Sequence, residues 1–219
     1  MQDPKTPLAP FVVLMLCSLC VAQSGKIESI GPLTDSAVPE QVRQTLEAKG
    51  YRLTLDDPKP CCELWLRAKV PAQASKSTEL VYPQFSESEL LGVVHYPQSA
   101  TDFRGNPIPA GFYTLRYELL PNDGNHLGVA PNRDFALLIP AQSDADPNAT
   151  FKFQQLVDLS AKTAGTKHPS PLSLSPVDKP SSGTVIRDDQ DHWIFSASLK
   201  PTSGEELPFA IIVKGTAQQ

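Results

Sequence analysis

Residues 112–120 read FYTLRYELL. Tyr113, Leu115, Tyr117 and Leu119 fall on one side of an extended chain, and Thr114, Arg116 and Glu118 on the other. Successive side chains of a strand point to opposite faces, so this period of two predicts a β-strand with one core face. Before it, 101–109 (TDFRGNPIP) is dense in Asp, Gly, Asn and Pro, the residues of tight turns. After it, a loop over 121–132 (PNDGNHLGVAPN) leads to a second predicted strand at 133–139 (RDFALLI).

The same patterning spreads in both directions. Toward the N-terminus, 90–96 (LLGVVHY) is too continuously apolar for a half-exposed strand and reads as an interior one. Over 62–70, Cys62, Leu64, Leu66, Ala68 and Val70 alternate with Glu63, Trp65, Arg67 and Lys69, giving a core face and a wetter face. A strand is expected at 51–55 and a surface loop at 71–79. Toward the C-terminus, strands are expected at 192–199 and 207–213, and 140–149 reads as an acidic turn region. Residues 166–184, rich in Pro and Ser, read as an extended surface loop.

Two helices interrupt the strands. Pro39 suits a first helical position, Gly50 a C-terminal stop, and Val38, Val42 and Leu46 form one stripe, so 39–49 is the first. Phe153, Leu156, Val157 and Ala161 recur at helical spacing before Gly165, which gives the second. Many strands and only two short helices predict a mainly antiparallel β-sandwich, with a small open β-barrel as the alternative.

Composition agrees with a folded body. Hydrophobic residues make up 40% of 219, and 22 Pro with 12 Gly stay below the ~25–30% of low-complexity chains. With 19 basic against 24 acidic residues the net charge is -5, which argues against a nucleic-acid partner. Lys5 precedes an apolar run over 8–22 (LAPFVVLMLCSLCVA), too short for a membrane span and built like a cleavable export signal. The expectation is cleavage after Ala22, a polar lead-in over 23–36 and one domain over 37–219. The product would be periplasmic or extracellular, with no transmembrane anchor after signal cleavage and an envelope or extracellular ligand as its partner. Cys17 and Cys20 would leave with the signal, so the mature chain keeps only Cys61 and Cys62. Neighbours on a strand face opposite ways, so one buried thiol and one edge thiol are expected.

The strong catalytic spacings are absent: no nucleophile elbow, zincin motif, phosphate loop or dinucleotide fingerprint occurs, and no cofactor is implied. A non-enzymatic binding or structural module is therefore the reading. The alternative is a polymer-acting hydrolase with Asp123, Asp134 and His126 as acid/base groups, which would need paired carboxylates. The candidate ligand surface is Arg104, Asp123, His126, Arg133 and Asp134, because turns at one end of a sandwich converge. Residues 144–148 (DADPN) match the start of a calcium loop, making Asp144 and Asp146 the weak metal candidates. Ala149 replaces the needed glycine and Gln155 the bidentate Glu, so a solvated acidic turn is expected instead. The group Asp188, Asp189, Asp191 and His192 is read as a hydrated turn, and His95 and His168 as incidental.

The segment 102–140 also resembles a pattern in uncharacterised exported bacterial β-rich proteins. Its carriers are Pro109-Ala110-Gly111 before Tyr113-Thr114-Leu115, the loop His126-Leu127-Gly128, and Arg133-Asp134-Phe135. That resemblance implies export and a β-rich fold. It implies no activity and carries over no catalytic residue.

Overall fold

The computed structural model describes residues 24–75, 77–121, 132–202 and 204–217. The proposed signal over 1–22 lies outside them, as do Asp123 and His126. Among the described residues twelve strands follow in chain order: β1 (Lys26–Ile30), β2 (Gly50–Thr54), β3 (Pro60–Leu66), β4 (Leu90–Tyr96), β5 (Ala100–Thr101), β6 (Pro107–Ile108), β7 (Gly111–Leu119), β8 (Asp134–Pro140), β9 (Pro171–Ser173), β10 (Thr184–Arg187), β11 (Trp193–Leu199) and β12 (Leu207–Lys214). The helices are α1 (Glu40–Arg43) and α2 (Phe153–Ala164).

The fold is mainly β and antiparallel, as a β-sandwich requires. Seven strands form one sheet in the order β1-β2-β3-β4-β7-β8-β9, a meander interrupted only by the β5–β6 hairpin. A second sheet, β10-β11-β12, lies over its inner face. Leu64, Leu66, Val94, Leu115, Tyr117 and Leu138 of the large sheet pack there with Phe195, Leu199, Phe209 and Ile211 of the small one. Isolated bridges Ser24–Ile186 and Leu174–Ile211 join the two sheets, yet no barrel closes. Among the described residues no helix is long and apolar enough to cross a membrane.

The outer face of the large sheet is covered too, which alternation alone does not reveal. Trp65, assigned to a wetter face, is buried with Val38, Val42, Leu46 and Val93 under α1 and its flanks. Its indole N–H donates to the Gly31 carbonyl at 2.9 Å. The helix expected over 39–49 stops after one turn, where Thr45 Oγ1 donates to the Val42 carbonyl at 2.7 Å. The chain then runs alongside residues 66–68, with the Glu47 N–H on the Leu66 carbonyl at 2.9 Å. Near the other edge, α2 packs its Leu156 on Phe135, Leu137 and Ile139 of β8.

Both edge strands depart from the expected loops. The lead-in holds β1, whose exposed residues pair with β2 through the backbone. The surface loop after α2 holds β9, and its Leu172 and Leu174 enter the core. Each segment adds ladder hydrogen bonds, to which side-chain patterning is nearly blind, to a few apolar anchors: Ile27 and Ile30 of the first, Leu172 and Leu174 of the second.

Candidate functional site

The site begins with a turn. Between β5 and β6, the buried Asp102 accepts the backbone N–H groups of Arg104 and Asn106 from one oxygen, each at 2.9 Å. The Asn106 amide reaches the other oxygen at 3.1 Å. Gly105, at φ +83°, supplies the left-handed residue this turn requires. The Phe103 N–H donates to the Pro171 carbonyl at 2.8 Å, which pins the hairpin to β9. Arg104 is thereby held, exposed, at the mouth of a cleft.

That cleft, about 420 Å³, lies between α2 and the outer face of β8. Phe135 and Leu137 of β8, Phe153 and Val157 of α2, and Phe103 and Pro171 contribute its apolar lining. The helix is anchored by polar groups: Thr163 Oγ1 donates to the Leu138 carbonyl at 2.9 Å, and Ser160 Oγ accepts the Ser170 N–H at 3.0 Å. So Leu156, Ser160 and Thr163 turn inward, while Phe153, first of the predicted apolar stripe, stays 42% exposed. Gly165, at φ +64°, ends α2, and the chain returns with Lys167 and His168 among the lining residues. Among the described residues Arg104 and Lys167 have no ion-pair partner and no carboxylate lines the cleft. In a chain of net charge -5 this apolar hollow has a basic rim.

The other predicted site residues lie elsewhere. Asp134 faces the sandwich interior, where its carboxylate accepts the N–H groups of Val81 at 3.0 Å and Tyr82 at 2.8 Å. The Tyr117 hydroxyl donates to it at 2.7 Å. Because strand residues alternate, Asp134 and the cleft-lining Phe135 occupy opposite faces of β8, so Arg104 and Asp134 are not brought together. Arg133 binds the Leu120 carbonyl through Nε at 3.2 Å and Nη2 at 3.1 Å, stapling the ends of β7 and β8.

The calcium-like loop holds a guanidinium. Asp144 is buried and bonded to Arg116 through Nε at 2.8 Å and Nη2 at 2.6 Å, with the Thr114 hydroxyl at 2.6 Å. Carbonyls of Ser88, Ala149 and Asp146 take the remaining N–H groups of Arg116, at 2.9, 2.9 and 2.7 Å. All five guanidinium donors are therefore used. Arg67 adds a contact from Nη2 to Asn148 Oδ1 at 2.7 Å, and it pairs with Glu89. The expectation of a solvated turn is corrected: Asp144 is wrapped around an internal cation, and the Asp146 side chain caps the Asn148 N–H at 2.9 Å. Among the described residues no group of His, Cys, Asp and Glu is placed to hold a metal.

Sequence patterning also hid Glu118, which is 1% exposed on the outer face of β7. Burial, with Glu87 beside it, pushes its carboxyl up to about 7. Asp188 and His192 likewise form a turn, with Asp188 accepting the His192 N–H at 2.8 Å and His192 Nε2 facing the Thr216 carbonyl at 3.1 Å.

Compared with known protein families, curated proteins and solved structures, the chain matches none. The functional reading therefore rests on the residues themselves.

Proposed function

We propose that this is an exported, non-enzymatic binding module whose α2–β8 cleft takes an apolar ligand bearing an acidic group. One observation carries the reading: Phe153 and Val157, apolar positions of an amphipathic helix, line an open hollow of about 420 Å³ instead of filling the core. Its volume falls within the ~300–1,000 Å³ usual for small-molecule sites. Arg104 and Lys167 give the hollow a polarity. An acyl or aromatic body would displace water from the lining while its carboxylate met the basic rim, and each buried CH₂ contributes about 0.8 kcal/mol before association costs. Export is supported by Lys5 ahead of the apolar run at 8–22, which would deliver the module to the periplasm or the exterior.

The test is calorimetric titration with decanoate, decanol and dodecyltrimethylammonium. Saturable binding is expected in the order decanoate, decanol, then the cation. Arg104→Glu with Lys167→Glu should weaken decanoate by about five- to tenfold and leave decanol nearly unchanged, as expected for exposed ion pairs of up to about 1 kcal/mol each. Equal affinity for anion and cation, or no binding at all, would defeat the proposal.

A further inference from the structure

A different feature sits at the rim between the two sheets. Strands β2 and β3 pair regularly from Tyr51–Leu64 to Leu53–Cys62, but the next pair is Thr54–Pro60. Cys61 is thus the extra residue of a β-bulge, where strand alternation breaks down. Cys62 is fully buried in the core between the sheets, and Cys61, half-buried, packs against that same cluster. Adjacent cysteines in a regular strand would have been separated by the sheet. Here both side chains pack on the same cluster, and Lys214 of the opposite sheet, paired to Asp56 at 2.8 Å, bears on Cys61. The Cys62 thiol beside it, then the Lys214 charge, lower the pKa of Cys61 against the opposing effects of burial and Asp56. The Cys61 thiol, together with burial, pushes Cys62 well up. Half-buried Cys61 is the sulfur an external reagent reaches, and fully buried Cys62 lies next to it in the chain.

We propose that Cys61 and Cys62 form a vicinal dithiol that exchanges with external disulfides and closes reversibly to a disulfide across their shared peptide bond. The Cys61 thiolate attacks one sulfur of a small disulfide R–S–S–R, forming a Cys61–S–S–R bond and releasing RS⁻. Cys62 then gives up its proton, and its sulfur displaces the second RS⁻ from Cys61. Two electrons pass to the external disulfide, and the two cysteine protons leave with them as two RSH. Adjacent Cα atoms lie ~3.8 Å apart, short of the ~4.4–6.8 Å a disulfide normally spans. The closed ring is strained, so it is a labile, reducible bond, not a structural one.

The experiment uses the full chain, reduced and then equilibrated with oxidised glutathione. After acid quenching and blocking of free thiols with N-ethylmaleimide, the tryptic peptide carrying both cysteines is weighed. It should be unblocked and two hydrogens lighter, and return to the doubly blocked form when reduced glutathione is added. Cys62→Ser should trap glutathione on Cys61. Closure should be at least tenfold faster in the folded chain than in urea, because the bulge orients the pair. Persistent free thiols, a stable glutathione adduct on the unmutated chain, bridges to Cys17, Cys20 or a second molecule, or equal rates in urea would each overturn the proposal. Should Cys62→Ser fail to fold, the mass and rate of the unmutated chain decide.

Discussion

Asp144→Ala removes the carboxylate paired with Arg116, whose side chain is 1% exposed. Arg116 would keep its carbonyl partners on Ser88, Asp146 and Ala149 but lose both charge-assisted bonds. Stranding a buried charge in this way costs about 3–5 kcal/mol. The Thr114 hydroxyl loses its 2.6 Å acceptor as well, adding about 1 kcal/mol. The total of about 4–6 kcal/mol approaches the whole stability of many domains, about 5–15 kcal/mol. With a urea slope near 2 kcal/mol per molar, the unfolding midpoint should fall by about 2–3 M. Urea denaturation followed by tryptophan fluorescence measures it, since Trp65 and Trp193 are both buried. Arg116→Met in the Asp144→Leu background removes the stranded charge, and the double-mutant cycle should return a coupling of at least about 2 kcal/mol. A loss below about 1 kcal/mol for Asp144→Ala, or a coupling near zero, would refute the idea that the 144–149 loop is held by this pair. Millimolar calcium should leave the wild-type midpoint where it is, because the carboxylate is already engaged.

Three further outcomes follow from buried groups. Glu118, with its folded pKa raised from 4.5 to about 7, holds its proton more tightly in the folded chain than in the unfolded one. Its contribution is therefore complete below pH ~4.5 and lost as pH rises to ~7, by an amount on the order of 3 kcal/mol. Glu118→Gln should flatten that part of the stability–pH profile and raise the urea midpoint at pH 8; an unchanged profile would place the titration elsewhere. Asp134→Ala should cost about 3–5 kcal/mol and release the Val81 and Tyr82 amides to hydrogen exchange, whereas retained protection there would contradict its role as an interior anchor. Gly92→Ala would place a Cβ 2.4 Å from the Trp65 carbonyl oxygen, backbone that cannot yield cheaply, so the variant should be strongly destabilised or insoluble on expression.

How much of this was legible depends on where each residue's order comes from. Strand β4 spans the predicted 90–96, and β7, β8, β11 and β12 lie within a residue or so of expectation, because apolar runs between covered faces have few other uses. Helix α2 was visible from its stripe and from Gly165. The edge strands β1 and β9 were not, since Lys26, Glu28 and Ser29 carry no hydrophobic signal and Pro171 discourages a strand reading. Alternation put Thr114, Arg116 and Glu118 opposite the core face, yet all are buried, Thr114 and Arg116 against the 144–149 loop and Glu118 with Glu87 beside it. Of the cleft, only Arg104 was singled out as a candidate. Lys167 and His168 fall in a Pro- and Ser-rich stretch that reads as a surface loop, and Phe153 and Val157 read as part of one apolar helix stripe. Only the anchoring of α2 through Ser160 and Thr163 turns them toward the hollow.

NMR titration of the isotope-labelled protein with decanoate asks whether the proposed α2–β8 cleft takes up an apolar anion. Saturable shifts are expected in the amides of Leu137, Phe153, Val157, Lys167 and His168, all lining the cleft, with the interior residues around Asp134 unmoved. Shifts centred instead on the second hollow, near Leu80, Tyr82 and Pro176, or no saturable shift at all, would contradict it.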